Sequence, residues 1–316
     1  MTTLAFMPPA DQPPLTVLTG LTSWTWDPYM LVPLAAAAVA YLWGVRVLRR
    51  RGDVWEPKRV AYWLLGLAIV LLGTSSMLGV YDRTLFWVPA MQHMLLQMIA
   101  PVPLVLGAPM TLALRTLPPR WRAVLLAVVH CPPARFIAHP VVAFMLFAAT
   151  QFAFYYTRIY DLSLTNVWVH DLTHVHFVLI GFLFYWSLIG LDPVPHRPPF
   201  VLTFFLVVGL GPVHILLGIP IMMMNTLLGG GYYESLDRTW GPTLLGDQNL
   251  GGGILWGFGD VSAAVLVAAF AAQWYRTDRR DAVRTDRALD RIYGDSPTMT
   301  PWWVADATDR KPSGSS

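Results

Sequence analysis

Apolar residues in this chain fall in long, almost unbroken runs. They show neither the alternation of half-buried strands nor the one-sided stripe of a soluble helix. Seven runs stand out: Tyr29–Val45, Val60–Val80, Phe86–Leu114, Pro140–Thr157, Trp168–Gly190, Pro199–Asn225 and Ile254–Tyr275. A helix needs about 20 apolar residues to cross a bilayer core. The third run is too long for one straight crossing and holds Pro101, Pro103 and Pro109. It predicts a crossing to about Leu106 and then a kinked or interfacial piece. The fourth run is short for a span. No internal repeat is visible, which argues against an inverted-repeat transporter. The pattern predicts an all-α polytopic membrane protein, a seven-transmembrane helix bundle in contact with the lipid bilayer.

Composition agrees with that pattern. The 316 residues are 55% hydrophobic and 13% charged, with mean hydropathy +0.49. Soluble domains carry about 25% charged residues, so a soluble enzyme is excluded, and so is bulk disorder. A lone cysteine, Cys131, rules out an intrachain disulfide and any CxxC redox or metal site.

The placement of charge predicts orientation. Of 22 Lys and Arg, nineteen fall in the first, third and fifth connections and the C-terminal tail. Only Arg83, Arg158 and Arg238 fall in the second, fourth and sixth. This alternation places the N-terminus outside and the C-terminus in the cytoplasm. It also turns the pI of 9.1 into a topology signal rather than a nucleic-acid signal. Three regions follow: an extracytoplasmic segment 1–28, a membrane domain 29–276 and a cytoplasmic tail 277–316. The N-terminal segment has no Lys or Arg, hence no signal-peptide n-region, and Pro8–Pro14 reads as an extended stub. Residues 276–292 alternate Arg and Asp at helical spacing, as in a solvated helix, and the segment from Asp295 onward reads as disordered.

Ionisable groups inside a membrane are costly and mark function. Within or beside the runs they are His93, His170, Asp171, His174, His176, His214 and Asp260. No Lys lies in a span, which removes a retinal Schiff base. If Trp87 and Trp168 mark the outer interface, His93 and His174 both lie about 9 Å below it. His170 shares a face with His174 at i,i+4, and Asp171 sits three residues before His174. His214 lies about 16 Å from the outer end at Asn225. Seven of 13 methionines, Met94 among them, fall in the outer halves of the second, third and sixth spans. Imidazole with thioether suits copper, above all Cu(I). Single methionines are otherwise ordinary core filler. His130 and His139 flank Cys131 in an interfacial loop, and His196 sits in a proline-rich turn. The Gly-rich segment 228–253, with Asp247 and Gln248, reads either as an ordered lid over the outer histidines or as a linker.

Several motifs, taken in order, resemble one family. They are Met91-Gln92-His93-Met94-Leu95-Leu96, Ala100-Pro101, Leu106-Gly107-Ala108-Pro109, His139-Pro140, Tyr160-Asp161, His170 with His174, and Asp247-Gln248 with Gly251-Gly252. Together they resemble the CtaG family of cytochrome c oxidase assembly proteins, over about residues 30–276. The resemblance implies a seven-span protein of the bacterial plasma membrane. It also implies a non-enzymatic role in maturing a haem–copper oxidase, with copper bound and passed to an oxidase subunit. His93, His170, His174, Asp247 and Gln248 would be the family-type residues. One position departs: the family carries a second histidine where this chain has Pro89. Two other readings stay open. One is a copper transporter or resistance protein. The other is a membrane cytochrome with haem between two histidines such as His93 and His174.

Overall fold

The computed structural model describes residues 12–190, 192–195 and 198–293, and every regular element among them is helical. The His196 turn, the start of the N-terminal stub and the segment from Asp295 lie outside the described residues. The chain divides into two compact units, Met1–Val267 and Ala268–Ser316.

A short helix α1 (Val17–Thr22) precedes α2 (Pro28–Arg50). Asp27 caps α2 by accepting from the Tyr29 amide at 2.8 Å, with Pro28 at the first helical position. Next come α3 (Pro57–Ser75) and α4 (Met77–Tyr81), which together form one apolar stretch. The third predicted span is α5 (Trp87–Met94), a π-helical turn (Leu95–Ile99) and α6 (Pro101–Leu106). After it come α7 (Pro109–Thr116), α8 (Pro119–His130) and α9 (Pro132–Ile137). Then follow α10 (Pro140–Tyr156), α11 (Arg158–Thr165), α12 (Val167–Ile189), α13 (Phe200–Val208) and α14 (Leu210–Met223). A single turn, α15 (Tyr232–Ser235), leads to the long α16 (Leu244–Tyr293).

Five stretches are long and apolar enough to cross a membrane: Pro28–Arg50, Pro57–Tyr81, Trp87–Leu106, Val167–Ile189 and Phe200–Met223. The fourth predicted run is α10; α11 follows it at a bend of 68°, and the two make a sixth crossing if the pair is counted as one. The break falls at Thr157, whose extended backbone ends α10 and whose hydroxyl caps α11 through the Ile159 amide. The seventh run lies inside α16, which continues as helix through 276–292, the stretch whose charge alternation predicted it. Val32, Val39, Leu42 and Trp43 on α2, and Leu172, Val175 and Leu179 on α12, are exposed, so the outer faces suit lipid rather than water. Helix α8 buries no residue and exposes Trp121, Val124 and Val128 beside Arg120 and Arg122, the composition of a helix lying along a membrane surface.

Trp87–Leu106 is the most enclosed of these stretches, 72% buried against 22% for Pro28–Arg50, and therefore sits at the centre. Pro101 has no amide to donate and its ring would clash with the carbonyl one turn back. The helix absorbs this by widening, and the Ala100 amide bonds to the Leu95 carbonyl at 2.8 Å. The Gln97 carbonyl then presses on α12 at Gly181, where a Cβ would lie 2.2 Å from that oxygen. Only glycine lets the two backbones approach so closely.

At one end of the bundle the Tyr41 hydroxyl donates to the Gly107 carbonyl at 2.7 Å and accepts from the Trp55 indole at 3.2 Å. Arg51 donates to the carbonyls of Arg115 and Thr116, and Arg115 pairs with Asp53 at 3.5 Å. Helix α3 leads from this basic end to the far end, where the titratable cluster lies.

Candidate metal centre

Asp82 lies just past Tyr81, at the end of the α3–α4 stretch, and is 5% exposed. His170 and His174 occupy the first two turns of α12. Asn166 fixes that helix start by accepting from the Trp168 and Val169 amides. Their i,i+4 spacing brings the two rings edge to face with centroids 4.5 Å apart, on one helix face as the sequence suggested. Each of Asp82, His170 and His174 offers a ligand atom, and these atoms all lie within 4.8 Å of one another. His170 Nε2 is 2.9 Å from Asp82 Oδ2. Gln92 Nε2 donates to the same oxygen at 3.3 Å and to the Gly73 carbonyl at 3.0 Å, so a buried amide holds the carboxylate in place. Burial pushes the Asp82 carboxyl up, but His170, His174 and Arg83 outweigh it and hold it below the usual carboxylate range.

The cluster borders a cavity of about 10 Å³, the size of one water molecule or ion. Its walls include Gln92, His93, Tyr160 and Phe177, together with Pro89 at the position where the resembled family has a histidine. His93 thus reaches the same cavity, but its nitrogens are engaged. Nε2 lies 2.5 Å from Gln97 Oε1 and Nδ1 lies 3.3 Å from the Tyr155 hydroxyl. Its ring stacks on Phe177 with centroids 3.9 Å apart. This arrangement makes His93 a wall and a support rather than a ready ligand. A haem between His93 and His174 has no room in a cavity of this size.

The other predicted residues go elsewhere. Met94 is fully buried and does not border the cavity, and no methionine is among the described residues that do. Met222 instead packs where a Gly252 side chain would be. The thioether part of the expected ligand set is therefore not assembled at this cavity; Met94 and Met98 fill the core, and Met223 is exposed. His214 lies against α16 with Nδ1 2.7 Å from the Leu210 carbonyl, away from the cavity walls. Asp171 is buried beside the cluster without bordering the cavity, and its Oδ2 has no partner among the described residues. Asp260 has a buried Oδ1 in the same condition.

Asp247 and Gln248 act as fasteners. Asp247 accepts from the Phe86 and Trp87 amides at 3.0 and 3.1 Å, capping the helix that carries His93, and pairs with Arg238 at 3.2 Å. Gln248 holds the turn after α14 through the Leu228 amide and the Thr226 carbonyl. The Tyr160 and Tyr233 hydroxyls meet at 2.6 Å. The segment 228–253 is therefore folded and anchored, packed behind α11 through Gly229 and Leu164 rather than lining the cavity.

Asp82 and Gln92 were not among the sequence candidates. Asp82 follows an apolar run directly, and its neighbour Arg83 drew notice only as a loop charge. A carboxylate that close to a span end was the available signal.

The arrangement presents two imidazoles and one carboxylate around an ion-sized space, with a second layer from Gln92. Such a set fits a transition-metal cation.

A family model described as cytochrome c oxidase caa3 assembly factor matches residues 39–277. Uncharacterized proteins of Mycobacterium bovis and Mycobacterium tuberculosis are each 37% identical over 291 residues. A third, from Mycobacterium leprae, is 34% identical over 291 residues. Each alignment covers 90% of this chain but 44% of the relative, so the chain spans less than half the length of the curated relatives it matches. No solved structure matches.

Proposed function

The chain belongs to the cytochrome c oxidase caa3 assembly factor family, and on that footing we propose that it carries copper to a haem–copper oxidase during its assembly. Copper here is cargo, held by Asp82, His170 and His174. The observation that carries this reading is the convergence of those three ligand atoms within 4.8 Å beside an ion-sized cavity. Two imidazoles accept either oxidation state of copper, and the carboxylate adds charge that favours Cu(II) over the Cu(I) that methionines would have selected. A three-ligand site leaves a coordination position for a ligand of the acceptor, as transfer requires. The chain would act without catalysing a covalent reaction.

The same reading gives the site a side. Seven crossings, with the basic ends of α2 and α3 in the cytoplasm, put Asp82, His170 and His174 on the outer face of a bacterial plasma membrane. There the oxidase subunit that receives copper would be the partner.

The test uses the whole purified protein and the cell. His170→Ala and His174→Ala should each lower the copper retained after dialysis and lower oxidase activity in a strain lacking the native gene. Unchanged copper retention in both variants would overturn the site. Unchanged oxidase activity alongside lost copper would overturn the role.

A further inference from the structure

A second polar cluster lies deeper in the bundle, where α10, α14 and α16 pack together. Gln151 and His214 are both fully buried, and Gln151 Nε2 lies 3.3 Å from His214 Nε2. Asp260 reaches the same helix: its Oδ1 lies 3.6 Å from where a Gly211 Cβ would be, one turn before His214. Gly259, next to Asp260, lies against the imidazole, and a Cβ there would come within 2.3 Å of the ring. The missing side chain is what allows α16 to pack against the His214 ring, with Asp260 the next residue along the helix.

The hydrogen bonding fixes the chemistry. His214 Nδ1 is 2.7 Å from the Leu210 carbonyl, so Nδ1 carries the proton and Nε2 presents a lone pair. A histidine tied to a backbone carbonyl in this way is oriented as metal-bound histidines are. Gln151 donates its amide to that lone pair, leaving Oε1 buried with no partner among the described residues. Asp260 Oδ1 is buried and unpartnered as well. The cluster has acceptors in excess: an imidazole nitrogen, an amide oxygen and a carboxylate oxygen, with one amide group to serve them. Buried acceptors without donors are costly, more so in a membrane interior. A cation at the His214 lone pair would relieve these acceptors if the Gln151 amide turned over to present Oε1 and the Asp260 side chain swung toward it.

We propose that Gln151, His214 and Asp260 form a second, inner cation site that takes a divalent transition-metal ion of the borderline class that imidazole favours. It is separate from the Asp82 cluster and does not depend on copper being the cargo there. His93 borders the outer cavity. Its partner Tyr155 is one turn along α10 from Gln151.

The experiment loads full-length protein in lipid nanodiscs with Co(II), whose visible absorption reports its ligands, and counts bound metal after dialysis. Wild type should hold two ions per chain. The Asp82→Asn/His170→Ala variant should keep one, and its spectrum should report that inner ion alone. Adding the near-isosteric His214→Gln or Asp260→Asn to that variant should weaken the remaining ion at least about tenfold. A single ion in wild type, loss of all metal from the outer-site variant, or an inner ion insensitive to both substitutions would each overturn the proposal. A change in the outer ion alone would bear on the copper-carrier reading and not on this one.

Discussion

Asp82→Asn isolates the charge in the outer cluster while preserving its shape. The carboxylate lies within 4.8 Å of the other two ligand atoms. Across that distance, at an effective dielectric of about 20, a carboxylate and a unit positive charge attract by about 3.5 kcal/mol. Asparagine keeps an oxygen in place and does not carry the cost of burying a charge, so the net loss is smaller than that figure. Loss of a residue that only braces a ligand costs about 10- to 100-fold in metal affinity, about 1.4–2.7 kcal/mol, so removing the charge of a direct ligand should cost at least about tenfold. The substitution also loosens His170, whose Nε2 lies 2.9 Å from the carboxylate. Competition of the purified protein against a chelator of known copper affinity reads the change directly. Asp171→Asn is the matched control, since Asp171 is also buried near His170 but does not border the cavity. Affinity should fall for Asp82→Asn and hold for Asp171→Asn. An equal fall in both would refute the argument, because the effect would then be a general loss of negative charge and not local ligation.

Three further outcomes test the framework around the site. Asp247→Ala uncaps the Phe86 and Trp87 amides at the start of α5 and leaves Arg238, whose side chain is 3% exposed, with only the Trp240 and Pro242 carbonyls as partners, so unfolding in detergent should become easier by about 3 kcal/mol; an unchanged melting temperature would sink the fastener role. Gly181→Ala drives a methyl to within 2.2 Å of the Gln97 carbonyl, and the helix-propensity gain of about 1 kcal/mol should not offset an overpacking cost of about 1–3 kcal/mol; a stabilised variant would refute the close approach. Asp82 is held below its unfolded value, so its contribution is complete above the ordinary carboxylate range and is lost as pH falls through the lowered value. Melting temperature should therefore drop toward acid pH, with a shallower drop in Asp82→Asn; parallel curves would count against it.

How far the sequence could be read depended on the range of the interaction. Runs such as Trp168–Gly190 were legible because hydrophobicity and helix length are local properties of the chain. So was the pairing of His170 with His174, since helical spacing alone puts them on one face. The prolines made a break after about Leu106 legible, but not the π-helical turn before Pro101, because Gly181 on another helix accommodates it. His93 was singled out as a candidate, and its side chain does reach the cavity. Depth cannot say which way a ring nitrogen faces, however, and here Gln97 and Tyr155 hold both. The methionines were expected at the depth of the histidines, and none of them is among the described residues that border the cavity.

Asp82 shows why the missing ligand was hard to see and why it matters. A carboxylate at a span end looks like any loop charge until another helix arrives beside it. Long-range packing brings α12 there, and Gln92 from the central helix then holds the carboxylate from the far side. Each neighbour has a separate anchor: Asn166 fixes the start of α12, and Asp247 fixes the start of α5. The residues that best resembled a binding motif in the Gly-rich segment therefore serve the site at one remove, by setting the helix that carries Gln92 and His93. If so, damage to Asp247 should disturb metal binding only as far as it disturbs α5. Restoring the cap with Asp247→Asn, whose side-chain oxygen can still accept an amide, should recover more copper binding than Asp247→Ala. Equal losses in the two variants would mean that Asp247 touches the cargo itself.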